Sequence, residues 1–507
     1  MTDKQGRLGR RMARAGALFV TKRFLLRSLD LLSTAILARL LVPDDFGLIA
    51  IAMMIFGFLD AMGRFGFNLA LIQNQEAGRA HYDTAWTLTV LRNCLTAAIL
   101  ILGAPMAASF FKDARLEDVV YVLAVIALVR GFENVGIVDF RKHLWIGREI
   151  KFQILGKLGF LVVTVTLAFV LQNYWALIFG LLAQHLLLVP LSYLFHHYRP
   201  HWSLAEWRNL FRFSGWVAVN SVIAFLNRGS DVFVISKVSG IDVVGLYSVS
   251  RRVATLASTE IVQPAARALF PGFSKVASDR TLMAGMYVDA ISLLIFVGAP
   301  AAVAIACLAD LFVRVLLGDR WLAAIPLVEL LALYGILRIN LGNAASVLLA
   351  LGKAKILTFM SLAQFAVFLP LLVWAVFSAG PYGAVWALIG STSFRLVLNF
   401  SMLIRTIGLS LRQLAARLWR SAASTAVMAG ILLIGRHYWP QEDTFLLTLM
   451  QFGVFLGLGG LSYLATHFAL WALCGFPSEV ERHAIRFLRD VITISSVGEE
   501  DAAGAKW

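Results

Sequence analysis

The chain has 507 residues, of which 59% are hydrophobic and 15% are charged, and its mean hydropathy is +0.78. A soluble domain is usually about a quarter charged, so this composition excludes an ordinary soluble protein and indicates a membrane protein. The formal charge of +15 could suggest a nucleic-acid partner, but the basic residues are scattered through short segments between apolar runs, so we expect none.

Apolar runs of about 20 residues, the length that crosses roughly 30 Å of hydrocarbon, recur along the chain. The basic start is followed by further cations and by no small-residue cleavage site, which indicates a retained first span and not a signal peptide. The sequence predicts an all-α integral membrane protein with about fourteen transmembrane helices. In chain order the predicted spans are 15–41, 45–71, 83–108, 117–138, 151–171, 174–195, 211–236, 244–270, 285–307, 324–350, 355–379, 382–404, 418–436 and 445–474.

Lysine and arginine are concentrated on one side of these spans. If the chain starts inside, basic segments such as 140–151 and 405–420 lie inside. The outside loops hold few cations, chiefly Lys112, Arg115, Arg314, Arg320 and Arg436. Cytoplasmic loops carry this excess in membrane proteins. The bias predicts that both ends of the chain lie in the cytoplasm.

The turn after the first span recurs about two hundred residues later. A shift of 198 places aligns Arg39 with Lys237, Asp44 with Asp242, Gly47 with Gly245 and Leu48 with Leu246. Aspartate and glycine suit a tight turn at the membrane rim. With the span count, the match predicts two six-helix lobes in the same orientation around a central cavity. The lobes are 1–200 and 201–410, followed by two further spans in 411–476 and a cytoplasmic interfacial helix and tail in 477–507.

Many ionisable residues lie near the middle of predicted spans, where each costs several kcal/mol unless it faces a cavity or a partner. The cations are Arg27, Arg64, Arg92, Arg130, Arg228, Arg251, Arg252, Arg338 and Arg395, and the carboxylates are Asp30, Asp60, Glu133, Asp231 and Glu260. Buried pairs such as Asp60 with Arg64 could simply lock helices together. The arginine surplus instead predicts a wet cavity for an anionic ligand such as a pyrophosphate head group.

Motifs for catalysis and metal binding are absent from the sequence. It contains no Walker, HExxH, CxxC or Rossmann pattern, and the three cysteines have no metal-type spacing. His196, His197 and His201 have loose metal-like spacing, but they lie in a basic segment beside tryptophans, which favours an interfacial loop. We therefore expect no metal, no cofactor and no catalytic residue, and a protein that moves a solute.

Three stretches carry a family resemblance: ARLLVPDDFGLIAIA at 38–52, GFNLALIQ at 66–73 and DTAWTLTVLR at 83–92. With the fourteen spans, they resemble the Wzx-type polysaccharide exporters. These are oligosaccharide flippases of the multidrug/oligosaccharidyl-lipid/polysaccharide (MOP) superfamily, and the branch that serves colanic acid and succinoglycan is the most similar. The resemblance implies a MATE-like fold and a bacterial inner-membrane flippase. It also implies that undecaprenyl-pyrophosphate-linked oligosaccharides cross by alternating access through a cationic cavity, for exopolysaccharide or lipopolysaccharide biosynthesis.

The resemblance also implies roles for individual residues and partners. The cavity cations would be Arg27, Arg64, Arg130, Arg228, Arg338 and Arg395. Proton or sodium coupling, or structural pairing, would fall to Asp30, Asp60, Asp231 and Glu260. The protein would be a monomer in membrane lipid that works with a polysaccharide polymerase and glycosyltransferases.

Three other functions stay open at this point. A lipid II flippase differs mainly in its glycan. A cation-coupled multidrug exporter of the same superfamily would need exposed carboxylates in its cavity. A non-transporting scaffold for glycosyltransferases would use the basic inside loops to hold its partners.

Overall fold

The computed structural model describes residues 25–63, 66–74, 76–143, 145–262, 269, 272–439 and 444–475. The side chains at 211–220, 260–261, 340, 342 and 354 lie outside this description, as do the predicted tail at 477–507 and most of the basic N-terminal segment. Across the described residues the regular structure is helical, without a β-strand. The predicted all-α class is confirmed.

The helices follow one another with short connections. In chain order they are α1 (25–40), α2 (Pro43–Met62), α3 (Phe67–Gln73), α4 (Arg79–Phe111), α5 (Arg115–Gly131), α6 (Asp139–Lys142), α7 (Ile146–Leu171), α8 (Trp175–Phe195), α9 (Trp207–Val238), α10 (Ile241–Ala254), α11 (Arg280–Cys307), α12 (Ala309–Leu316), α13 (Ile325–Ala350), α14 (Ala354–Ile407), α15 (Leu411–Tyr438) and α16 (Phe445–Leu473). Two 3₁₀-helices, Val135–Val138 and Asp319–Ala324, and a π-helix, Ala257–Val262, lie between them.

Among the described residues, nine helices are long and apolar enough to cross a membrane. The number is ten if the bent pair Arg115–Gly131 and Val135–Lys142 forms one span. Each predicted span overlaps a helix, so the chain is a multi-pass membrane protein with helices where the sequence places them. The exact count of fourteen crossings stays a prediction.

Two predicted spans are interrupted. The span at 45–71 stops at Met62, and Gly66 then adopts a left-handed backbone (φ 69°) before α3 begins. The span at 117–138 bends by 76° after α5. At that bend the Asn134 side chain accepts a hydrogen bond from the Gly136 N–H at 2.8 Å and donates one to the Tyr198 carbonyl at 2.7 Å. The first bond satisfies the Gly136 N–H, which a continued helix would have paired with a backbone carbonyl.

The break between the spans predicted at 355–379 and 382–404 lies inside α14. Ala379 and Gly380 have non-helical backbones there, and Gly380 has a φ of 56°. A left-handed residue ends a helix at little cost when it is glycine. The chain therefore breaks where the sequence predicts it, and α14 consists of two helices that meet at this kink.

By their internal packing, the described residues form two compact units. Unit 1 comprises those within Met1–Arg252, Val313–Leu327 and Ser361–Ser391. Unit 2 comprises those within Val253–Phe312, Val328–Met360 and Thr392–Trp507. The predicted lobes at 1–200 and 201–410 describe the order of spans instead of packing, and they stay a prediction.

Each unit has its own apolar core. In unit 1, α7 packs along α8 and α4 along α5. One cluster joins Leu37 of α1 and Leu41, directly after α1, to Phe160 and Leu177. In unit 2, α11 packs against α15, which packs against α16. Burial at these positions follows the helical spacing of the apolar residues.

The two repeated turns meet inside unit 1 in a reciprocal contact. Gly47 lies against the backbone carbonyl of Ile241, and Gly245 lies against that of Pro43; an added Cβ at either glycine would overlap the facing oxygen. The shift of 198 places maps Pro43 onto Ile241 and Gly47 onto Gly245, so each contact is the image of the other. Two turns related by an approximate two-fold axis produce this reciprocity.

A later segment of unit 1 covers the first turn. The buried Trp321 indole donates to the Ala38 carbonyl at 2.7 Å, and its ring packs edge-on to Phe46 at 5.2 Å. Arg39 donates to the Val315 carbonyl at 2.7 Å. Residues almost 300 positions later therefore hold the predicted outer end of α1 and α2, through hydrogen bonds between side chains and backbone carbonyls.

Candidate functional site

Three groups of charged side chains lie in the helices of unit 1, and each has one aspartate at its centre. The first joins α1, α7 and α10. Lys157 forms an ion pair with Asp30, and Arg252 donates to the Thr34 hydroxyl at 3.1 Å. Arg252 also interacts electrostatically with Arg27 and Asp30. Positions 27, 30 and 34 share one helical face, which is why one stripe of α1 meets both partners.

The second group lies where α2 ends. Asp60 is 3.2 Å from Arg130 of α5 and 3.7 Å from Arg92 of α4. Arg92 also donates to the Gly63 carbonyl at 3.1 Å, and a Cβ at Gly63 would lie 2.8 Å from the Arg92 side chain. The break in α2 therefore leaves a free carbonyl and the space that admits this guanidinium. Glu133 interacts electrostatically with Arg130 nearby.

The third group joins α9 and α10. The Asp231 carboxylate is 1% exposed, accepts a hydrogen bond from the Tyr247 hydroxyl at 2.7 Å and forms an ion pair with Arg251. Arg251 also donates to the Arg228 carbonyl at 3.2 Å. Arg228 itself is exposed, and its Nε donates to the Ala224 carbonyl at 2.9 Å. Asp231 is thus a structural acceptor, whereas the Arg228 guanidinium is accessible.

Positive charge exceeds negative charge across these groups. The cations are Arg27, Arg92, Arg130, Lys157, Arg228, Arg251 and Arg252, against the carboxylates of Asp30, Asp60 and Asp231 and the nearby Glu133. Buried charges are normally paired or face a polar space, since an uncompensated charge in hydrocarbon is costly. The surplus makes unit 1 suited to an anionic group.

Unit 2 carries the remaining predicted cations. The Arg338 guanidinium lies 5.6 Å from the ring centre of Tyr334 on α13, and Arg395 lies on α14. Asn343 is fully buried, and neither polar atom of its amide has a hydrogen-bond partner among the described residues. A buried ion pair, Asp310 with Arg436 at 2.6 Å, joins α12 to α15. The sequence analysis placed Arg436 in an outer loop and did not identify this pair.

The structure places eight of the ten predicted site residues. Those in unit 1 are Arg27, Asp30, Asp60, Arg130, Arg228 and Asp231, and those in unit 2 are Arg338 and Arg395. Arg64 and the side chain of Glu260 lie outside the described residues. Within unit 1 each of these three aspartates pairs with a residue on another helix.

One member of the site was missed. Lys157 lies in the first half of α7, in the stretch GKLGF, and the sequence analysis did not count it among the mid-span charges. A lysine so near the start of a span can extend its ammonium to the surface, so its position alone gave no sign of a partner.

The histidine-containing segment is a fixed loop. Asp83 accepts hydrogen bonds from the Tyr198 hydroxyl at 2.5 Å and the His201 N–H at 2.9 Å, and His196 lies 3.2 Å from Asp139. Burial and the bond to Asp83 raise the pKa of Tyr198, and burial lowers the pKa of His196. In the described part of the chain, no three His, Cys, Asp or Glu residues are grouped to hold a metal ion.

The charges at the predicted outer rim bind backbone and each other. Arg115 bridges Asp44 and Asp113, each at 2.6 Å, and these hydrogen bonds lower the pKa of Asp113. Lys237 donates to the Phe110 carbonyl at 3.0 Å, and its ammonium lies over the Phe110 ring. The repeated rim charges therefore have structural contacts.

A family profile described as "polysaccharide biosynthesis protein" matches residues 36–326, which is more than half of the chain. The chain belongs to this family. WzxC of Escherichia coli K12, a lipopolysaccharide biosynthesis protein, is 25% identical over 406 residues, which cover 77% of this chain and 80% of WzxC. The predicted resemblance to Wzx-type proteins is confirmed.

Solved structures share the fold. The lipid II flippase MurJ in its inward closed conformation superposes with a TM-score of 0.73 at 12% identity, over 90% of this chain and 99% of MurJ. An inward-facing multidrug resistance MATE transporter of the MOP superfamily has a TM-score of 0.59 at 15% identity, over 77% of this chain and 98% of the transporter. The predicted MATE-like fold is confirmed.

Proposed function

We propose that this protein is a flippase that moves diphosphate-linked oligosaccharides across the bacterial inner membrane for exopolysaccharide or lipopolysaccharide biosynthesis. The observation that supports this most directly is the cation surplus around Asp30, Asp60 and Asp231 in unit 1. Guanidinium groups stay charged at any biological pH and bind phosphate oxygens in pairs. A diphosphate head group would complete the charge balance of these helices.

The transport cycle that we propose is alternating access. A lipid-linked glycan enters from the cytoplasmic leaflet, and its diphosphate meets the cations of unit 1. Arg338 and Arg395 stay predicted binding residues of unit 2. The reciprocal contact of Gly47 and Gly245 closes the predicted outer side in the meantime. Membership of the polysaccharide biosynthesis family favours this function over a drug exporter. The cation surplus favours it as well, since it would repel a cationic drug.

The site residues are tested by charge removal. We expect Arg228→Gln and Arg338→Gln each to weaken binding of undecaprenyl diphosphate to the purified full-length protein in nanodiscs. A hydrogen bond to a charged group contributes about 1.5–3 kcal/mol, so the Kd should rise on the order of 10- to 100-fold. Arg64→Gln should act in the same way.

The matched control is Arg280→Gln, which removes the same charge from the exposed start of α11. It should leave the Kd within about twofold, because a change of 0.4 kcal/mol corresponds to a factor of two. Unchanged binding by both Arg228→Gln and Arg338→Gln, in protein that remains folded, would contradict the assignment.

A further inference from the structure

The aspartates at the centre of the three charged groups differ in exposure. The side chains of Asp60 and Asp231 are 9% and 1% exposed, whereas that of Asp30 is 38% exposed. Its partner Lys157 is 20% exposed. In the wet cavity that the proposed function requires, an exposed ion pair is worth only about 0–1 kcal/mol, so a second anion can displace one of its members. Of these three pairs, the one between Asp30 and Lys157 is the most readily exchanged.

The other two carboxylates are held by more than one group. Asp60 lies against two arginines, and Asp231 binds both an arginine and the Tyr247 hydroxyl. Removing one partner of a buried pair is costly, so these carboxylates are expected to stay in place throughout a transport cycle. These two carboxylates orient the arginines beside them and keep the same partners.

The surroundings of Asp30 are cationic. Arg252 interacts with both Arg27 and Asp30, and the Arg252 guanidinium is fixed on the Thr34 hydroxyl one turn along α1. An anion that entered this space would meet two arginines and one lysine. The Lys157 ammonium is already paired with the Asp30 carboxylate. Because an ammonium is compact and lacks the fixed planar donors of a guanidinium, it can turn from one oxygen to another.

We propose that Asp30 is a competing carboxylate that occupies Lys157 when the site is empty and gives it up to the substrate's diphosphate. The inference rests on the proposed function and concerns how the same site releases its substrate. A transporter must bind its substrate strongly enough to admit it and weakly enough to let it leave. Re-pairing of Asp30 with Lys157 offsets part of the attraction between the cations and the diphosphate, and so speeds release.

The test measures binding of undecaprenyl diphosphate to the full-length protein in nanodiscs, with uncharged undecaprenol as the reference lipid. Asp30→Asn should tighten binding of the diphosphate lipid about fivefold, the upper range for one accessible ion pair, and slow its dissociation by a similar factor. Lys157→Gln should weaken binding. In the Lys157→Gln background, Asp30→Asn should tighten binding by less than about twofold, because there is no ammonium left to release.

The control is Asp60→Asn, which removes an equal charge from a buried carboxylate and should not tighten binding, since Arg92 and Arg130 lose their orientation. Thermal unfolding checks that each variant is folded, and Asp30→Ser repeats the test if Asp30→Asn does not fold. Equal tightening with and without Lys157 would mean that Asp30 only repels the ligand, and it would overturn the proposal. So would transport loss in Asp30→Asn without tighter binding, which indicates ion coupling. Equal affinity of the wild-type protein for both lipids would instead contradict the proposed function.

Discussion

Asp231 illustrates how a buried charge in this chain is held. Its carboxylate is 1% exposed and binds both Tyr247 and Arg251, which lie one helical turn apart on α10. Positions four residues apart share a helix face, so one carboxylate on α9 can meet both. This pairing links the first helix of the second predicted lobe to the next helix.

Removing the Asp231 charge should destabilise the fold. Asp231→Asn removes the buried carboxylate that pairs with Arg251, and breaking a buried pair by removing one partner costs about 3–5 kcal/mol. Tyr247→Phe removes one hydrogen bond and should cost about 1 kcal/mol. Thermal unfolding of the purified protein measures both.

The exposed Asp242 provides the control, and Asp242→Asn should change stability by less than about 0.5 kcal/mol. Equal stability of the Asp231 and Asp242 variants would contradict this role.

Individual pairings could not be predicted at the residue scale. Helical spacing put Asp60 beside Arg64 and Asp231 beside Arg228, and the structure adds partners from other helices, Arg92 and Arg130 in the case of Asp60. Spacing along one helix specifies a face and leaves open which helix packs against that face. The residue types of the site could therefore be predicted from the cost of a charge in hydrocarbon, whereas the partners required tertiary structure.

At the scale of elements, the repeated turns are explained by close backbone approach. A sequence comparison identifies matched glycines and aspartates, and turn chemistry accounts for both. It does not reveal that Gly47 and Gly245 touch the opposite turn, because glycine suits a free turn and a tight contact equally well. Only the reciprocal contact distinguishes the two reasons for glycine at these positions.

Adding a methyl group at either turn should disrupt this contact. In Gly47→Ala and Gly245→Ala the new Cβ would overlap a backbone carbonyl, which cannot move aside as a flexible side chain does. Overpacking of this kind typically costs about 1–3 kcal/mol, so the melting temperature should fall. Gly457→Ala on α16 is the matched control, since no atom lies within 4 Å of its added Cβ. Alanine is the better helix former there, so the control should be neutral or slightly stabilising. Equal melting temperatures for all three variants would refute a tight contact.

Element boundaries were predictable where glycine or proline marks them and less so elsewhere. Pro43 begins α2 and Gly380 divides α14, both as the sequence suggests. The 76° bend after α5 depends instead on Asn134, whose side chain caps one turn and binds the Tyr198 carbonyl some sixty residues later. The bond to the Tyr198 carbonyl has no local sequence signature, because the fold determines which distant carbonyl Asn134 meets.

For the whole molecule, composition and hydropathy determine the class. An apolar chain with few charges must satisfy its backbone within helices when it crosses a bilayer, and the described helices follow the predicted spans closely. The packing units could not be predicted in the same way. Unit 1 takes the segment 313–327 from the middle of the chain, because Trp321 and its neighbours bind the first turn. Such long-range packing leaves no periodic pattern in the sequence.

The central claim is that the protein moves an anionic lipid-linked saccharide across a membrane. Its most direct test is a translocation assay with the purified protein in liposomes, using a fluorescent oligosaccharide linked to undecaprenyl diphosphate and the same glycan on uncharged undecaprenol. We predict that the diphosphate-linked glycan reaches the opposite leaflet rapidly and that the uncharged one does not. No translocation of the diphosphate-linked glycan by folded protein that still binds a polymerase or glycosyltransferases would contradict the account and favour a scaffold.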